Sequence, residues 1–215
     1  MTNPDVSTDQ HLVAAGDHLS RVAVVHRFRS FAPLWNDPGN AALRQIRHTP
    51  HILATGDVVQ VPPLATQEVD RETDKRHKFK VELHRLVLRI KPRRWLDEKD
   101  DAPPSDVLLD GKPVLFIAGA EGEVEIPIEA LSDRVTFKFP SRDILVRLGQ
   151  LQPIDVVAGQ RERLNNLGYS AGDSDDPTKL AFRSAVEELQ CDQHLEVDGK
   201  CGPATQARLA KVYGC

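Results

Sequence analysis

Apolar residues are spaced differently in three parts of the chain, and each spacing predicts a different kind of module. Residues 11–63 carry helix-like spacings between two short strand-like runs. Residues 76–150 show the alternation of apolar and polar positions that is typical of strands, and residues 154–215 return to a helical spacing. Residues 64–75 are polar and predict a linker, and residues 1–10 are predicted to be disordered. The chain is therefore predicted to be a multidomain α+β protein.

The first module is predicted to be a strand, two helices and a second strand. Asp17 is placed to cap the first helix, and Asp37 followed by Pro38 is typical of the start of the second. The expected inward-facing residues are Leu19, Val22, Ala23 and His26 in the first helix, and Ala42, Leu43 and Ile46 in the second.

The middle module is predicted to be a small β-sandwich of six or seven short strands. A change of phase near residues 84–85 predicts a bulge, and Asp110-Gly111 is typical of a hairpin turn. The basic segment 91–95 is expected to be a solvated loop. The predicted strands cover residues 79–83, 86–90, 107–109, 114–117, 124–128, 135–139 and 144–148.

The third module is predicted to contain three helices. Gly168 is placed to end the first helix, Asp176-Pro177 to begin the second, and Gly202-Pro203 to begin the third. Asp198-Gly199 provides a turn between the last two helices. The expected buried positions are Phe182, Ala185, Val186, Leu189, Leu209 and Val212.

Composition excludes some classes of function. Lys and Arg number 28 against 32 Asp and Glu, a net charge of −4, which disfavours sequence-independent nucleic-acid binding. No apolar run reaches the roughly 18 residues that a membrane span needs. Residues 1–10 lack the basic and apolar regions of a signal peptide. We therefore expect synthesis in the cytoplasm, with any action in the periplasm or cell envelope depending on a specialised secretion route.

Two Gly-Asp half-motifs lie in the first module, at Val13, Gly16, Asp17, Leu19, Val22, Ala23 and Asn36, and at Leu53, Gly56, Asp57, Val59, Val61 and Pro62. They resemble a LysM module, a βααβ fold that binds glycans containing N-acetylglucosamine, although residues 38–52 are longer than the family's usual middle. The resemblance implies glycan contacts from Gly16, Asp17, His18, Leu19, Leu53, Ala54, Thr55 and Gly56. Alternatively, these are turn and capping residues that the fold requires.

The third module carries a second set of motif residues: Arg161, Leu164, Asn165, Leu167, Gly168, Tyr169, Ala185, Val186, Leu189, Gln190, Leu195, Val197, Asp198, Gly199, Cys201, Gly202, Pro203 and Thr205. They resemble the three-helix peptidoglycan-binding domain. The resemblance implies wall contacts from Tyr169, Asp198, Gly199, Gly202, Pro203 and Thr205. Residues 175–178 lack the glycines of the family's first repeat, and Gln160 fills a usually apolar position. Alternatively, Pro203 and Thr205 only start a helix.

The three cysteines all lie in the third module, without a CxxC pair that would indicate zinc. In the family-like fold Cys201 and Cys215 flank the third helix, which is too long for a disulfide to bridge. The resemblance therefore favours a disulfide between Cys191 and Cys215, with Cys201 as a reduced core thiol. Such a pair would form in an oxidising compartment.

No residue pattern indicates catalysis, a cofactor or a metal, since His48 and His51 have no acidic partner nearby. We expect a non-catalytic peptidoglycan-binding protein. The order of modules resembles small proteins associated with contractile injection machines such as type VI secretion systems. A spike or baseplate protein of such a machine is therefore a further expected partner. The alternative is a structural adaptor of that machine with degenerate wall-binding modules.

Overall fold

The chain folds into two compact units in the computed structural model. The structure describes residues 9–47, 49–64, 70–78, 86–90, 104–119, 123–140 and 143–214. The N-terminal unit comprises Met1–His51 and Thr55–Gly149, and the C-terminal unit comprises Ile52–Ala54 and Gln150–Cys215. The predicted middle module and the predicted first module, apart from residues 52–54, thus fall in one unit. Within the described residues, each helix is too short or too polar to cross a lipid bilayer.

The N-terminal unit begins with helices between two strands, as predicted, but it has three α-helices and a 3₁₀ turn where two helices were predicted. Its elements are β1 (Asp9–Leu12), α1 (Leu19–Val25), α2 (Ala32–Trp35), a 3₁₀ turn (Pro38–Asn40), α3 (Ala41–Arg47) and β2 (Val58–Val61). β1 and β2 pair antiparallel, with His11 opposite Val59. β1 starts before residue 11, where the first module was predicted to begin. It therefore includes Asp9 and Gln10, which were expected to be disordered.

The inward face of α1 is as predicted except for His26, which follows the helix and is partly exposed, and that of α3 is not as predicted. Leu19, Val22 and Ala23 are fully buried. In α3 only Leu43 is buried, whereas Ala42 is exposed and Ile46 is 57% exposed. The reason is Asn40, three residues before Leu43, whose buried side chain sets which face of the short helix turns inward. Its Nδ2 donates to the carbonyls of Leu34 and Gln60, each at 2.8 Å.

The two predicted helix caps differ in outcome. Asp37 Oδ1 accepts from the Gly39 N–H at 2.8 Å, so Asp37 caps the 3₁₀ turn as its proline neighbour suggests. The prediction that Asp17 caps α1 is wrong, because His18 occupies the N-cap position. The Asp17 carboxylate instead turns back and accepts from the Ala14 N–H at 2.9 Å, which closes the turn before the helix.

The middle part of the chain forms two small antiparallel sheets. The strands are β3 (Leu86–Ile90), β4 (Asp106–Leu109), β5 (Lys112–Pro113), β6 (Ile117–Ala118), β7 (Val124–Ile128), β8 (Arg134–Lys138) and β9 (Asp143–Arg147). One sheet has the order β3-β7-β6 and the other the order β5-β4-β8-β9. Both sheets contribute to one apolar cluster, formed by Val107, Val124, Ile126, Val135, Phe137 and Leu148.

The predicted hairpin turn at Asp110-Gly111 is confirmed, since β4 pairs with β5 across it. Both turn residues have positive φ, 49° for Asp110 and 83° for Gly111, as the favoured two-residue hairpin turn requires. The predicted strand at residues 114–117 is wrong for most of its length, because only Ile117 lies in a strand. The predictions for residues 79–83, 84–85 and 91–95 lie outside the described residues.

The C-terminal unit contains the three predicted helices, α4 (Val157–Leu167), α5 (Leu180–Asp192) and α6 (Pro203–Tyr213). Gly168 ends α4 with a left-handed φ of 92°. The predicted start of α5 at Asp176-Pro177 is wrong. The Asp176 carboxylate accepts from both the N–H and the hydroxyl of Thr178, at 2.9 and 2.7 Å. These bonds form a turn, and the helix starts after it. The core comprises Leu164, Tyr169, Ala171, Phe182, Ala185, Val186, Leu189 and Leu209.

One buried hydroxyl in α1 generates a stability prediction. Ser20 is 7% exposed, and its Oγ has no hydrogen-bond partner among the described residues. A buried polar group without a partner costs about 1–3 kcal/mol. We expect Ser20→Ala to raise the free energy of unfolding by about 1 kcal/mol, measured by urea unfolding. Ser184→Ala, at a half-buried position in α5, is the control for helix propensity alone. A Ser20→Ala protein less stable than wild type would contradict the prediction.

Candidate functional site

The structure joins the two Gly-Asp turns of the N-terminal unit through backbone hydrogen bonds. The Val13 N–H donates to the Asp57 carbonyl at 2.8 Å, and the Gly56 N–H donates to the Val13 carbonyl at 2.9 Å. Gly16 and Gly56 have φ values of 91° and 94°, a region that disfavours any residue with a Cβ. The two half-motifs therefore meet through paired turns, each of which needs its glycine.

The predicted glycan-contacting residues differ widely in exposure. Leu19 is fully buried, and Leu53, which belongs to the C-terminal unit, is 4% exposed. Two more are buried, Gly16 and His18, while Asp17 and Ala54 are partly exposed. Only Thr55 and Gly56 are exposed. A ligand that approaches the paired turns of this conformation would meet these two residues first.

Asp17 lies at one end of a chain of polar contacts. Its Oδ2 lies 3.1 Å from His11 Nε2, and His11 Nδ1 lies 3.1 Å from His26 Nε2. The Arg21 Nε lies 3.9 Å from Asp17 Oδ1. Through these contacts and the bond from the Ala14 N–H, the Asp17 carboxylate stabilises the turn. Sequence analysis missed this cluster because β1 and the end of α1 meet only in the folded chain.

His18 is a buried imidazole close to His51, Arg21 and Asp17. Burial, and then the nearby His51 and Arg21, lower the pKa of His18, which keeps its ring neutral at neutral pH. Burial also lowers the pKa of His51, whose ring packs edge-on against Phe31 at a centroid distance of 5.5 Å. His48 lies outside the described residues. In the described segments, no three His, Cys, Asp or Glu side chains converge as a metal site requires.

The candidate site of the C-terminal unit is organised by one buried side chain, Gln190, which is 2% exposed. Its Oε1 accepts from the N–H groups of Asp198 and Gly199, both at 3.0 Å. Its Nε2 donates to Asp198 Oδ1 at 2.8 Å and to Thr205 Oγ1 at 3.1 Å. A further bond reaches the Lys200 carbonyl at 3.1 Å. One carboxamide thus holds three of the predicted wall-contacting residues.

The turn that Gln190 holds presents its outer edge to solvent. Asp198 and Pro203 are exposed, and Gly202 is partly exposed at the N-cap of α6. The hydrogen bond from Gln190, with one from the Lys200 N–H, lowers the pKa of Asp198, so its carboxylate is charged over the physiological range. Gly199 is buried, and a Cβ there would lie 2.7 Å from Glu187 Oε1. This site is a hydrogen-bonded turn before a helix, with the opposite charges of Asp198 and Lys200 exposed on it.

Tyr169 and Thr205, the other predicted wall-contacting residues, point into the protein. Tyr169 is 6% exposed, and its hydroxyl lies 3.0 Å from Asp192 Oδ2 at the end of α5. Thr205 is 5% exposed and bonds to Gln190. The structure therefore gathers the predicted residues from Asp198 to Thr205 on one turn and places Tyr169 in the core.

Two buried polar residues of α4 complete the C-terminal unit. Gln160, at the position that the family usually fills with an apolar residue, donates from Nε2 to the Ile154 carbonyl at 3.0 Å. Arg163 is 1% exposed and donates from Nη1 to the Gln152 and Gly159 carbonyls, at 2.7 and 2.8 Å. Its guanidinium also lies 5.6 Å from the centre of the Tyr213 ring. No sequence signal identified Arg163 as buried.

The cysteines of the C-terminal unit occupy different environments. Cys191 is an exposed free thiol, and Cys201 is half-buried. Burial raises the pKa of Cys201 to about 11. Cys215 lies outside the described residues, so the pairing of Cys191 with Cys215 stays a prediction.

The Gln190 network predicts a large loss of stability on its removal. We expect Gln190→Ala to lower the free energy of unfolding of the C-terminal unit by about 3 kcal/mol, because buried N–H groups lose their acceptor. Hydrogen exchange in α5 and α6 measures the loss. Gln206→Ala, which removes one bond to the Cys201 carbonyl, is the control and should cost about 1 kcal/mol. Equal losses in the two variants would refute the central role of Gln190.

The environment of Cys201 predicts slow alkylation. A pKa raised from 9.0 to about 11 leaves about 100-fold less thiolate at pH 8, and the thiolate is the reactive form. We expect iodoacetamide to modify Cys201 at least 100-fold more slowly in the folded chain than in the denatured chain. Peptide mapping over time gives both rates, with exposed Cys191, kept reduced by a phosphine throughout, as the internal reference. Equal rates for Cys191 and Cys201 in the folded chain would contradict this.

Comparison with known proteins gives one family match for this region. Residues 145–209 match the family model described as "Putative peptidoglycan binding domain". No curated protein and no solved structure matches the chain significantly. The match spans α4, α5, the turn that Gln190 holds and most of α6. It supports the C-terminal module as a peptidoglycan-binding domain and a wall-binding role for the protein.

Proposed function

We propose that this protein binds peptidoglycan without modifying it and that the turn from Asp198 to Thr205 is its principal contact. The family match at residues 145–209 carries the proposal. The geometry adds that the outer edge of this turn is exposed while its inner edge is fixed by Gln190. A preorganised turn loses little conformational entropy on binding, which favours recognition.

We further propose that the paired Gly-Asp turns of the N-terminal unit form a second, LysM-like glycan site. The proposal rests on the half-motifs and on the Val13 hydrogen bonds that bring the turns together. Thr55 and Gly56 are its exposed contacts. Two weak sites on one chain raise each other's effective concentration on a polymer with repeated units, so the intact chain would bind more tightly than either site alone.

The proposed setting is the periplasm or cell envelope, where peptidoglycan lies, reached through a contractile machine of the type VI kind. This part of the proposal rests on the order of modules alone. The adaptor alternative, in which degenerate modules serve as docking surfaces for a spike or baseplate protein, has one specific observation in its favour. Leu19, Leu53 and Tyr169 are buried and therefore withdrawn from any ligand.

Sedimentation of the full chain with purified sacculi at moderate salt tests the binding proposal. We expect the wild-type chain to sediment and soluble muropeptides to release it. Thr55→Glu and Pro203→Glu should each weaken binding several-fold, because sacculi are anionic and both positions are exposed. Glu is well tolerated at the first turn of a helix, so Pro203→Glu should preserve α6.

Two controls add the same charge elsewhere. Gln45→Glu and Ala207→Glu change exposed positions of α3 and α6 and should leave sedimentation unchanged. Failure of the wild-type chain to sediment would refute wall binding and favour the adaptor. The same supernatants should contain no new reducing ends or amines. Their release in proportion to the protein, lost on heat denaturation, would refute the non-catalytic assignment.

A further inference from the structure

Part of the proposed N-terminal glycan site is in contact with turns of the β-sheets in the same unit. The Arg21 Nη1 lies 2.7 Å from Asp133 Oδ1, in the loop between β7 and β8. The backbone of Ala130, in the same loop, is near enough to the His18 ring to act on its pKa. Gly149, two residues after β9, packs against the Gly16 carbonyl. We name residues 129–133 together with Gly149 the cover.

The cover approaches too closely for a sugar to enter between it and Gly16. A Cβ at Gly149 would lie 2.4 Å from the Gly16 carbonyl oxygen and 3.3 Å from His18 Cδ2. Gly16 and His18 are both buried, whereas Thr55 and Gly56 across the paired turns are exposed. The contact therefore obstructs one side of the site and leaves the other side open.

Hydrogen bonds within the β-sheets hold the cover in place. The Leu148 N–H donates to the Asp133 carbonyl at 2.8 Å, which joins its two parts. The N–H groups of Asp133 and Arg134 both donate to Asp110 Oδ1, at 3.0 and 3.1 Å. The Asp110 carboxylate thus ties the cover to the hairpin turn between β4 and β5. A rigid surface can hold a neighbouring turn closed without ordering itself first.

Charge also favours the closed arrangement at neutral pH. Burial is the largest cause that lowers the pKa of His18, followed by the nearby His51 and Arg21, whereas Asp17 raises it. A neutral ring adds no positive charge beside Arg21. Arg21 is then free to pair with Asp133.

We propose that the cover is an autoinhibitory element that closes the Gly16 and His18 side of the N-terminal glycan site. The inference rests on the proposed glycan-binding function of that site. Binding of a glycan that spans the paired turns requires the cover to separate from Gly16. In this proposal the function of the middle β-sheets is to regulate the N-terminal site.

Two variants of the full chain test the cover from different sides. Gly149→Ala forces a Cβ against Gly16, and Asp133→Ala removes the ion pair with Arg21 while leaving the backbone bonds of the loop in place. The matched control for Gly149→Ala is Gly111→Ala, which has a similar positive φ of 83° but open space around its Cβ. The control for Asp133→Ala is Asp143→Ala, which breaks the surface pair with Lys138.

The probe is a soluble tetramer of N-acetylglucosamine, titrated while the amide signals of Thr55 and Gly56 are followed by NMR. We expect Asp133→Ala to bind about two- to fivefold more tightly than wild type, the range that an exposed ion pair allows, and Gly149→Ala more tightly still. Both controls should bind as wild type does. Faster hydrogen exchange at Gly16 and His18 in Gly149→Ala should accompany the gain.

The two ways of failing are distinguishable. If wild type binds the tetramer and neither Gly149→Ala nor Asp133→Ala binds more tightly, the autoinhibitory cover is refuted and the glycan site stands. If no variant binds, including a Gly149→Ala chain whose exchange shows Gly16 exposed, the N-terminal glycan site itself is refuted and the cover has nothing to regulate.

Discussion

The carboxamide of Gln190 is the interaction on which the candidate wall-binding site depends. It is nearly inaccessible to water, and both of its polar atoms are directed at the turn that precedes α6. A buried amide is tolerated only when its bonds are made, so the turn must close around Gln190 for the unit to fold. The exposed Asp198 and the start of α6 are consequently placed by the core. In the proposed function, recognition and stability of this unit therefore depend on the same hydrogen bonds.

The N-terminal unit uses a second buried side-chain amide in the same way. Asn40 is 1% exposed, donates to the Leu34 and Gln60 carbonyls, and accepts from the Gln60 N–H at 2.8 Å. It therefore ties α2 and the 3₁₀ turn to β2. In both units a buried amide bonds to groups 6 to 20 residues away in the sequence and so satisfies polar groups that would otherwise lack a partner. The short helices of the N-terminal unit depend on this kind of support because isolated short helices are unstable in water.

Many residues of the two motifs also stabilise the fold. Gly16 and Gly56 supply backbone conformations, Asp17 closes a turn, and Thr205 satisfies Gln190. What remains for a ligand is the exposed rim of each turn. Small rims give weak individual sites, so the proposed function relies on joining two of them in one chain and on the regulation that the cover could impose.

The sequence by itself determined the elements that rest on local chemistry. β2, the hairpin turn at Asp110-Gly111, the end of α4 at Gly168 and the buried face of α5 follow from periodicity or from the φ values that particular residues permit. The motif of the C-terminal unit could also be recognised from the sequence, since it lies within one contiguous stretch. Only the tertiary structure decided which face of α3 turns inward, that Asp17 serves a turn and not a helix, and that Asp133 meets Arg21 across 112 residues of chain. These outcomes depend on partners that are distant in sequence, and neither spacing nor propensity carries information about them.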